Sequence, residues 1–278
     1  MNNDDDDNEA LAARAVAGDA GALALLCERL ETPVFRLCLR LLGDVSDAED
    51  AAQDVLIKVI THLSGFEGRS QLMTWVHTIA VRHVLAMKKS RAEERVVDEA
   101  DFAALLDRGL AFGATAPPGP EDSTFLNEVR LSCTQGMLLL LGREERLALV
   151  LVDLLGFDTA TAAAIAEVGD AAMRQRLVRA RARLAGFLQA TCGVANPAAT
   201  CRCAAQVPAK KARGDGLRFQ PLVAGDLPRT TADVDAAASE LRSLRIISNT
   251  FHEGGAWNAA PSLRARMRQL LPTLLAGA

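Results

Sequence analysis

The chain has no tyrosine and only two tryptophans among its 278 residues, and aromatics make up 4% of it. Runs of β-branched residues are equally scarce, while alanine, leucine and arginine abound. Such a composition disfavours strands and predicts an all-α protein. No long hydrophobic run is present either. The longest, Leu147 to Phe157, is interrupted by Asp153 and is too short to cross a bilayer. The amino terminus shows no basic start followed by an apolar core, so no secretory signal and no membrane contact are expected, and the expected location is cytoplasmic. In that compartment thiols stay reduced, so the six cysteines read as core residues or metal ligands rather than a disulfide frame. Glycine-rich phosphate loops are missing, and His62, His77, His83 and His252 are scattered without metal-ligand spacing. No catalytic constellation follows, and the expected protein is not an enzyme.

Half of the residues are apolar, enough for about two compact domains at this length. The formal net charge of −4 averages very unlike segments. Asp4 to Asp7 make an acidic tip expected to be a solvated, disordered end. Glu93, Glu94, Asp98, Glu99 and Asp101 form a second acidic stretch, and Arg174, Arg176, Arg179, Arg181 and Arg183 crowd one later segment.

Helical periodicity from Glu9 to Leu42, with breaks expected at Gly18-Asp19 and Thr32-Pro33, predicts two short helices. Ser46-Asp47-Ala48-Glu49 is a capping-box pattern that predicts the start of another. On it, Ala48, Ala51, Ala52, Val55, Val59 and Leu63 form an apolar stripe, with Asp47, Asp50, Gln53, Asp54 and Lys58 opposite. Phe66-Glu67-Gly68-Arg69-Ser70 interrupts the pattern. Ser70 is then placed to cap a further helix carrying Leu72, Trp75, Val76 and Ile79, which ends in Arg82, His83, Lys88, Lys89 and Arg91.

The succession AEDAAQDVLIKV, FEGRSQLMTW, IAVRHVLAMKK resembles region 2 of the extracytoplasmic-function sigma factors of bacteria. The resemblance implies that Asp47, Asp50, Gln53 and Asp54 face core RNA polymerase. It places Gly68, Arg69, Ser70, Arg82, His83, Lys88 and Lys89 beside the opened minus-ten strand. In this family asparagine often stands at the position of His83.

Further along, Met173, Leu177, Ala180 and Leu184 step by helical intervals, and Ala172, Arg174, Gln175, Val178, Arg179 and Arg181 project from the opposite arc. Guanidinium groups there can bind phosphates or guanine edges in a major groove. A short helix over Thr159 to Ala166, a turn at Glu167 to Gly169 and a longer basic helix from Asp170 make a helix-turn-helix pattern. The stretch LGREERLALVLVDLLGFDTATAAAIAEVGDAAMRQRLVRARARL resembles region 4 of the same family, which implies that this helix reads the minus-thirty-five element. Glu167 stands where the family commonly has glycine.

The expected organisation is a region 2 bundle over 9–95, a linker over 96–120 with the proline-rich stretch 114–120 holding the modules apart, a region 4 module over 121–190, and a helical extension over 191–278. Cys192, Cys201 and Cys203 in CGVANPAATCRC are soft ligands that can hold zinc or copper, one short of a tetrahedral set, with His252 a candidate fourth. Redox sensing and incidental thiols are the alternatives. Cys27, Cys38 and Cys133 sit in helical patterns and are expected in the core. After a loop over 210–229, Val234 to Leu244 and the segment from Pro261 each show an amphipathic stripe, core of a small unit or a regulatory lid.

The resulting expectation is a sigma factor that requires no cofactor. Its implied partners are core RNA polymerase and promoter DNA, with an anti-sigma regulator as a third candidate. The competing readings are a stand-alone helix-turn-helix regulator and a metal- or redox-sensing interaction protein.

Overall fold

The computed structural model describes residues 3–95, 98–113, 123–213 and 261–276. All named elements among them are helical: α1 Asn3–Val16, α2 Ala20–Leu42, α3 Val45–Thr61, α4 Leu72–Ala86, α5 Arg91–Arg95, α6 Glu99–Gly113, α7 Ser123–Leu140, α8 Arg143–Leu149, α9 Thr159–Ile165, α10 Asp170–Thr191, α11 Cys203–Arg213 and α12 Pro261–Ala276. A 3-10 turn, Leu63–Gly65, follows α3, and α8 runs into a π-helical turn, Val150–Leu154. No helix among the described residues is long and apolar enough to cross a membrane. The acidic tip Asp4 to Asp7, expected to be disordered, lies instead within α1. The proline-rich stretch 114–120, the stripe from Val234 and His252 lie outside the described residues.

Helix α2 is the axis of the first bundle. Asp19 caps it by accepting from Ala22 N–H at 2.9 Å. The break expected at Pro33 does not occur. Proline inside a helix costs about 3 kcal/mol, but burial gives roughly 1.5–3 kcal/mol per large apolar side chain. Leu30, Val34, Phe35 and Leu37 are all buried around it. The helix ends at Gly43, whose φ of 74° suits glycine, and a Cβ there would come within 2.7 Å of Leu139 on α7. Glycine therefore serves both the turn and the close approach of two helices.

Helix α3 starts earlier than the capping-box pattern suggests. Asp44 is the cap, accepting from Asp47 N–H at 3.0 Å, and Ser46 is exposed. A charged carboxylate at the positive helix end outcompetes a hydroxyl. Ser70 likewise caps nothing: α4 begins after Gln71 without a side-chain cap. The reciprocal box occurs at Ser90, where Glu93 N–H donates to Ser90 Oγ at 3.1 Å and Ser90 N–H donates to Glu93 Oε2 at 2.9 Å.

The predicted stripe of α3 is buried: Ala48, Ala51, Ala52 and Val55 are fully covered by α2 and α4, together with Leu72, Val76 and Ala80 of α4. The second helical group is not held apart from the first. Helices α7, α8 and the π-helical turn pack on α2, and α9 packs on α4. Helix α12 lies across α2 and α3 with Leu263 and Met267 fully buried.

Candidate functional site

Three polar surfaces and one thiol cluster emerge from this frame. The first is the outer edge of α3. Asp47 accepts from Arg91 N–H at 2.9 Å and is half engaged with the α5 end. Asp50 is exposed and pairs with Arg266 of α12 at 3.0 Å, while Glu49 pairs with the same guanidinium at 3.3 Å. Gln53 is half-buried and Asp54 is exposed.

The second surface is the basic end of α4 with its preceding loop. Gly68, φ 67°, lets the chain turn in open space, and Arg69 is exposed and pairs with neighbouring Glu67 at 2.6 Å. Ser70 is also exposed, and Phe66 and Trp75 bracket the loop with ring centroids 5.5 Å apart. Lys88 and Lys89 are exposed. Arg82 ion-pairs with Glu167 in the turn of the helix-turn-helix. His83 lies between α3 and α4, with Lys58 Nζ 2.7 Å from its Nδ1 and Asp54 3.6 Å from its Nε2. Burial and the Lys58 charge lower its pKa against the opposing pull of Asp54, which favours the neutral ring. His77 is buried, neither ring nitrogen is hydrogen-bonded among the described residues, and the ring lies edge-on to Phe157 at 5.5 Å. Burial, aided by Arg40, pushes its pKa down to about 4.

The third surface is α10. Asp158 caps α9 through Thr161 N–H at 2.8 Å, and Thr161 Oγ1 donates to the same carboxylate at 2.9 Å. The following turn places Glu167 at φ 54°, the left-handed conformation that explains glycine's suitability at this position. Along α10, Met173, Leu177, Ala180 and Leu184 are buried as the periodicity predicts. The arginines divide into two sets. Arg179 pairs with Glu145 at 2.9 Å, Arg181 Nε donates to Asp153 at 2.9 Å, Arg176 pairs with Glu144 at 2.9 Å and Arg183 with Glu99 at 2.6 Å. Ala172, Arg174, Gln175 and Val178 remain exposed on the amino-terminal half, Arg174 held among the described residues by Asp170 one turn back at 3.7 Å.

Sequence reasoning missed the network that joins the two helical groups. Arg143 forks onto Glu93 (2.8 and 2.6 Å) and donates to the carbonyls of Met87 and Lys88. Arg146, 3% exposed, meets Glu93 at 3.0 Å and donates to the carbonyls of Leu138, Leu141 and Leu41. The only sequence signal was the pair of arginines flanking Glu144-Glu145 after Gly142.

Among the thiols, Cys27 and Cys38 are core residues, and burial pushes both up to about 12. Cys192, Cys201 and Cys203 are half-buried near one another. Cys133, expected in the core, is half-buried on α7, and the other three thiols lie within electrostatic range of it. Burial raises Cys203 to about 11 and moves Cys201 and Cys133 upward too, so at neutral pH these are thiols rather than reactive thiolates.

The described residues thus make an all-helical protein with an acidic helix edge, a basic helix end and a helix-turn-helix. The sequence pattern of sigma-70 region 2 matches residues 26–94. The chain is 33% identical over 180 residues to the ECF RNA polymerase sigma factor SigC of Mycobacterium tuberculosis, covering 64% of this chain and 89% of that protein. It is 29% identical over 188 residues to SigM of the same species, covering 66% and 84%. The sigma factor RpoE solved in complex with the anti-sigma factor NepR from Bartonella quintana aligns with 58% of this chain and 92% of that one at 23% identity, with a TM-score of 0.37, too loose a likeness in shape to carry weight. The chain belongs to the extracytoplasmic-function group of the sigma-70 family and is an RNA polymerase sigma factor directing promoter-specific initiation.

Proposed function

We propose that this sigma factor docks on core RNA polymerase through the α3 edge around Asp47, Asp50, Gln53 and Asp54. In this reading it meets the opened minus-ten strand with Gly68 to Ser70 and the basic end of α4, and reads the minus-thirty-five element with the amino-terminal half of α10. The observation that carries the last assignment is the division of the arginines. Residues Ala172, Arg174, Gln175 and Val178 face outward, whereas Arg179 and Arg181 are tied to carboxylates of α8 and the π-helical turn. Direct base reading therefore falls to Arg174 and Gln175, with Val178 suited to a thymine methyl, and Arg179 and Arg181 serve as scaffold or phosphate contacts.

The described form is a closed resting state in this reading. Elements centred about 25 base pairs apart lie on the order of 80 Å apart along B-form DNA. Yet α4 and α9 touch through Arg82 and Glu167. Reading both elements requires the two helical groups to separate, and α12 must also leave Asp50 if polymerase binds there.

The test is reconstitution with core polymerase, mapping of transcription starts genome-wide, and run-off transcription from the promoters found. Alanine at Arg174 or Gln175 is expected to lower initiation about 5- to 150-fold where the upstream element is needed, the equivalent of roughly 1–3 kcal/mol per lost base contact. Arg181→Ala should lower it by less and without changing base preference. Unaltered initiation by both the Arg174 and Gln175 variants would remove α10 from promoter reading.

A further inference from the structure

Among the described residues, Glu167 is the one non-glycine residue in the left-handed conformation, at φ 54°. The turn that closes α9 imposes it. Glu167 N–H donates to the Ala164 carbonyl at 3.2 Å and Val168 N–H to that of Ala163 at 3.0 Å, the paired bonds of a left-handed helix cap. Glycine is the residue such a cap prefers, because a Cβ there crowds the following carbonyl. Glutamate holds the place in this chain, and its carboxylate takes no part in the cap. It reaches across to α4 and accepts from the Arg82 guanidinium.

Arg82 lies on the basic end of α4, ahead of the exposed Lys88 and Lys89. Both side chains of the Arg82–Glu167 pair are 58% exposed, so the pair is hydrated, weak and open to displacement. The buried Glu93–Arg146 pair, by contrast, is sealed from competing ions. A phosphate offers a guanidinium the same kind of charged oxygen acceptors as a carboxylate does. Glu167 also stands shortly before Asp170, where α10 begins. The same ion pair therefore tethers the leading end of α10, which carries Ala172, Arg174 and Gln175, to α4.

We propose that Glu167 is an internal stand-in for a strand phosphate. In the closed form it occupies Arg82, and a phosphate of the opened strand displaces it and so frees the helix-turn-helix. The proposal rests on the assignment of the basic end of α4 to the minus-ten strand and adds a coupling to it. Strand capture and release of the upstream reader become one exchange of acceptors on a single guanidinium. The coupling works in both directions, so loosening α9 from α4 raises the affinity of α4 for strand. Glycine in the turn would leave Arg82 uncovered, whereas glutamate makes its availability conditional.

The test uses the full chain and a fluorescein-labelled oligothymidine of about 12 nucleotides, followed by anisotropy. Glu167→Gln, which keeps the side-chain shape and loses the charge, should tighten binding about 2- to 5-fold at ~50 mM salt, with the gain fading toward ~500 mM. In an Arg82→Ala chain the same substitution should give no gain, because no guanidinium is left to uncover. A glutamate that merely repels DNA would give an equal gain with or without Arg82. Glu167→Gly should bind as tightly as Glu167→Gln and melt no lower than the unaltered chain, since glycine suits the cap. Adding the oligonucleotide to the unaltered chain should speed amide hydrogen exchange across α9. An equal gain in the Arg82→Ala chain, no gain in binding that does depend on Arg82, a Glu167→Gly chain that melts lower without binding more tightly, or α9 exchange unmoved by the oligonucleotide each overturns the proposal and leaves the strand assignment standing. Oligonucleotide binding that ignores Arg82 in the Glu167→Gln chain overturns both.

Discussion

Replacing Glu93 with alanine removes the carboxylate from the network that welds the two helical groups together. The Glu93 side chain is 4% exposed and that of Arg146 3%, so this is a buried ion pair rather than a surface one. Removing one partner of a buried pair typically costs about 3–5 kcal/mol, because the other charge is left without compensation. The lower end applies, since Arg146 keeps the carbonyls of Leu138, Leu141 and Leu41. Losing the Ser90–Glu93 box adds about 1 kcal/mol. A total near 4 kcal/mol at ~2–4 °C per kcal/mol lowers Tm by about 8–16 °C. Arg143→Ala, at a side chain 23% exposed, should cost clearly less. The assay is thermal melting by circular dichroism of the unaltered chain and both variants.

The pH dependence provides an independent check. Burial alone would raise the Glu93 carboxyl, but the Arg143 hydrogen bonds, the Ser90 N–H and the Arg146 charge hold it below its ordinary value of 4.5. A depressed carboxylate contributes its full stabilisation above the unfolded value and loses it as pH falls through the folded one. The deficit of Glu93→Ala should therefore be constant from neutral pH down to about 4.5 and shrink below that. A Glu93→Ala chain that melts within about 1 °C of the unaltered protein at pH 7 refutes the reasoning, whatever its acid behaviour.

The remaining predictions concern His77 and α12. His77 is held neutral with a pKa near 4, so its unfolded form takes up a proton first as pH falls, and stability drops between pH 6.5 and 4, by about 3 kcal/mol at the lower end. His77→Leu should flatten denaturant-derived stability over that window, and an unchanged slope would show that the ring is not buried neutral. Leu263→Asp, which puts a charge at a fully buried contact of α12, should release that helix and raise affinity for core polymerase, measured by fluorescence anisotropy. Release confirmed by proteolysis with no gain in affinity would mean that α12 does not cover the docking edge.

What could be read from the residues and what could not divide along physical lines. Periodicity found the buried faces, because the stripe on α3 and the Met173-to-Leu184 face of α10 depend only on helical geometry and apolar content. Caps were less readable: Ser46, Asp44, Ser70 and Ser90 are all competent, and the choice among them is set by charge and by what packs nearby. Pro33 reads as a break by local propensity alone, and the burial of the side chains around it overrides that propensity. The thiol cluster and the Glu93 network are tertiary facts, joining residues whose separations along the chain carry no period.

The arginine helix shows why a helical wheel alone overstates a binding face. Periodicity places Arg174, Arg179 and Arg181 alike on the solvent side, and all three are indeed exposed. Exposure is not availability, since Glu145 and Asp153 engage the latter two from neighbouring elements. A guanidinium already paired with a carboxylate must give up that partner before it can grip a base. Arg174 gives up only a 3.7 Å contact within its own helix, and Gln175 has no charge to neutralise. On the proposed reading, sequence-specific contact is concentrated in the first two turns of α10, with the following turns holding that end in place.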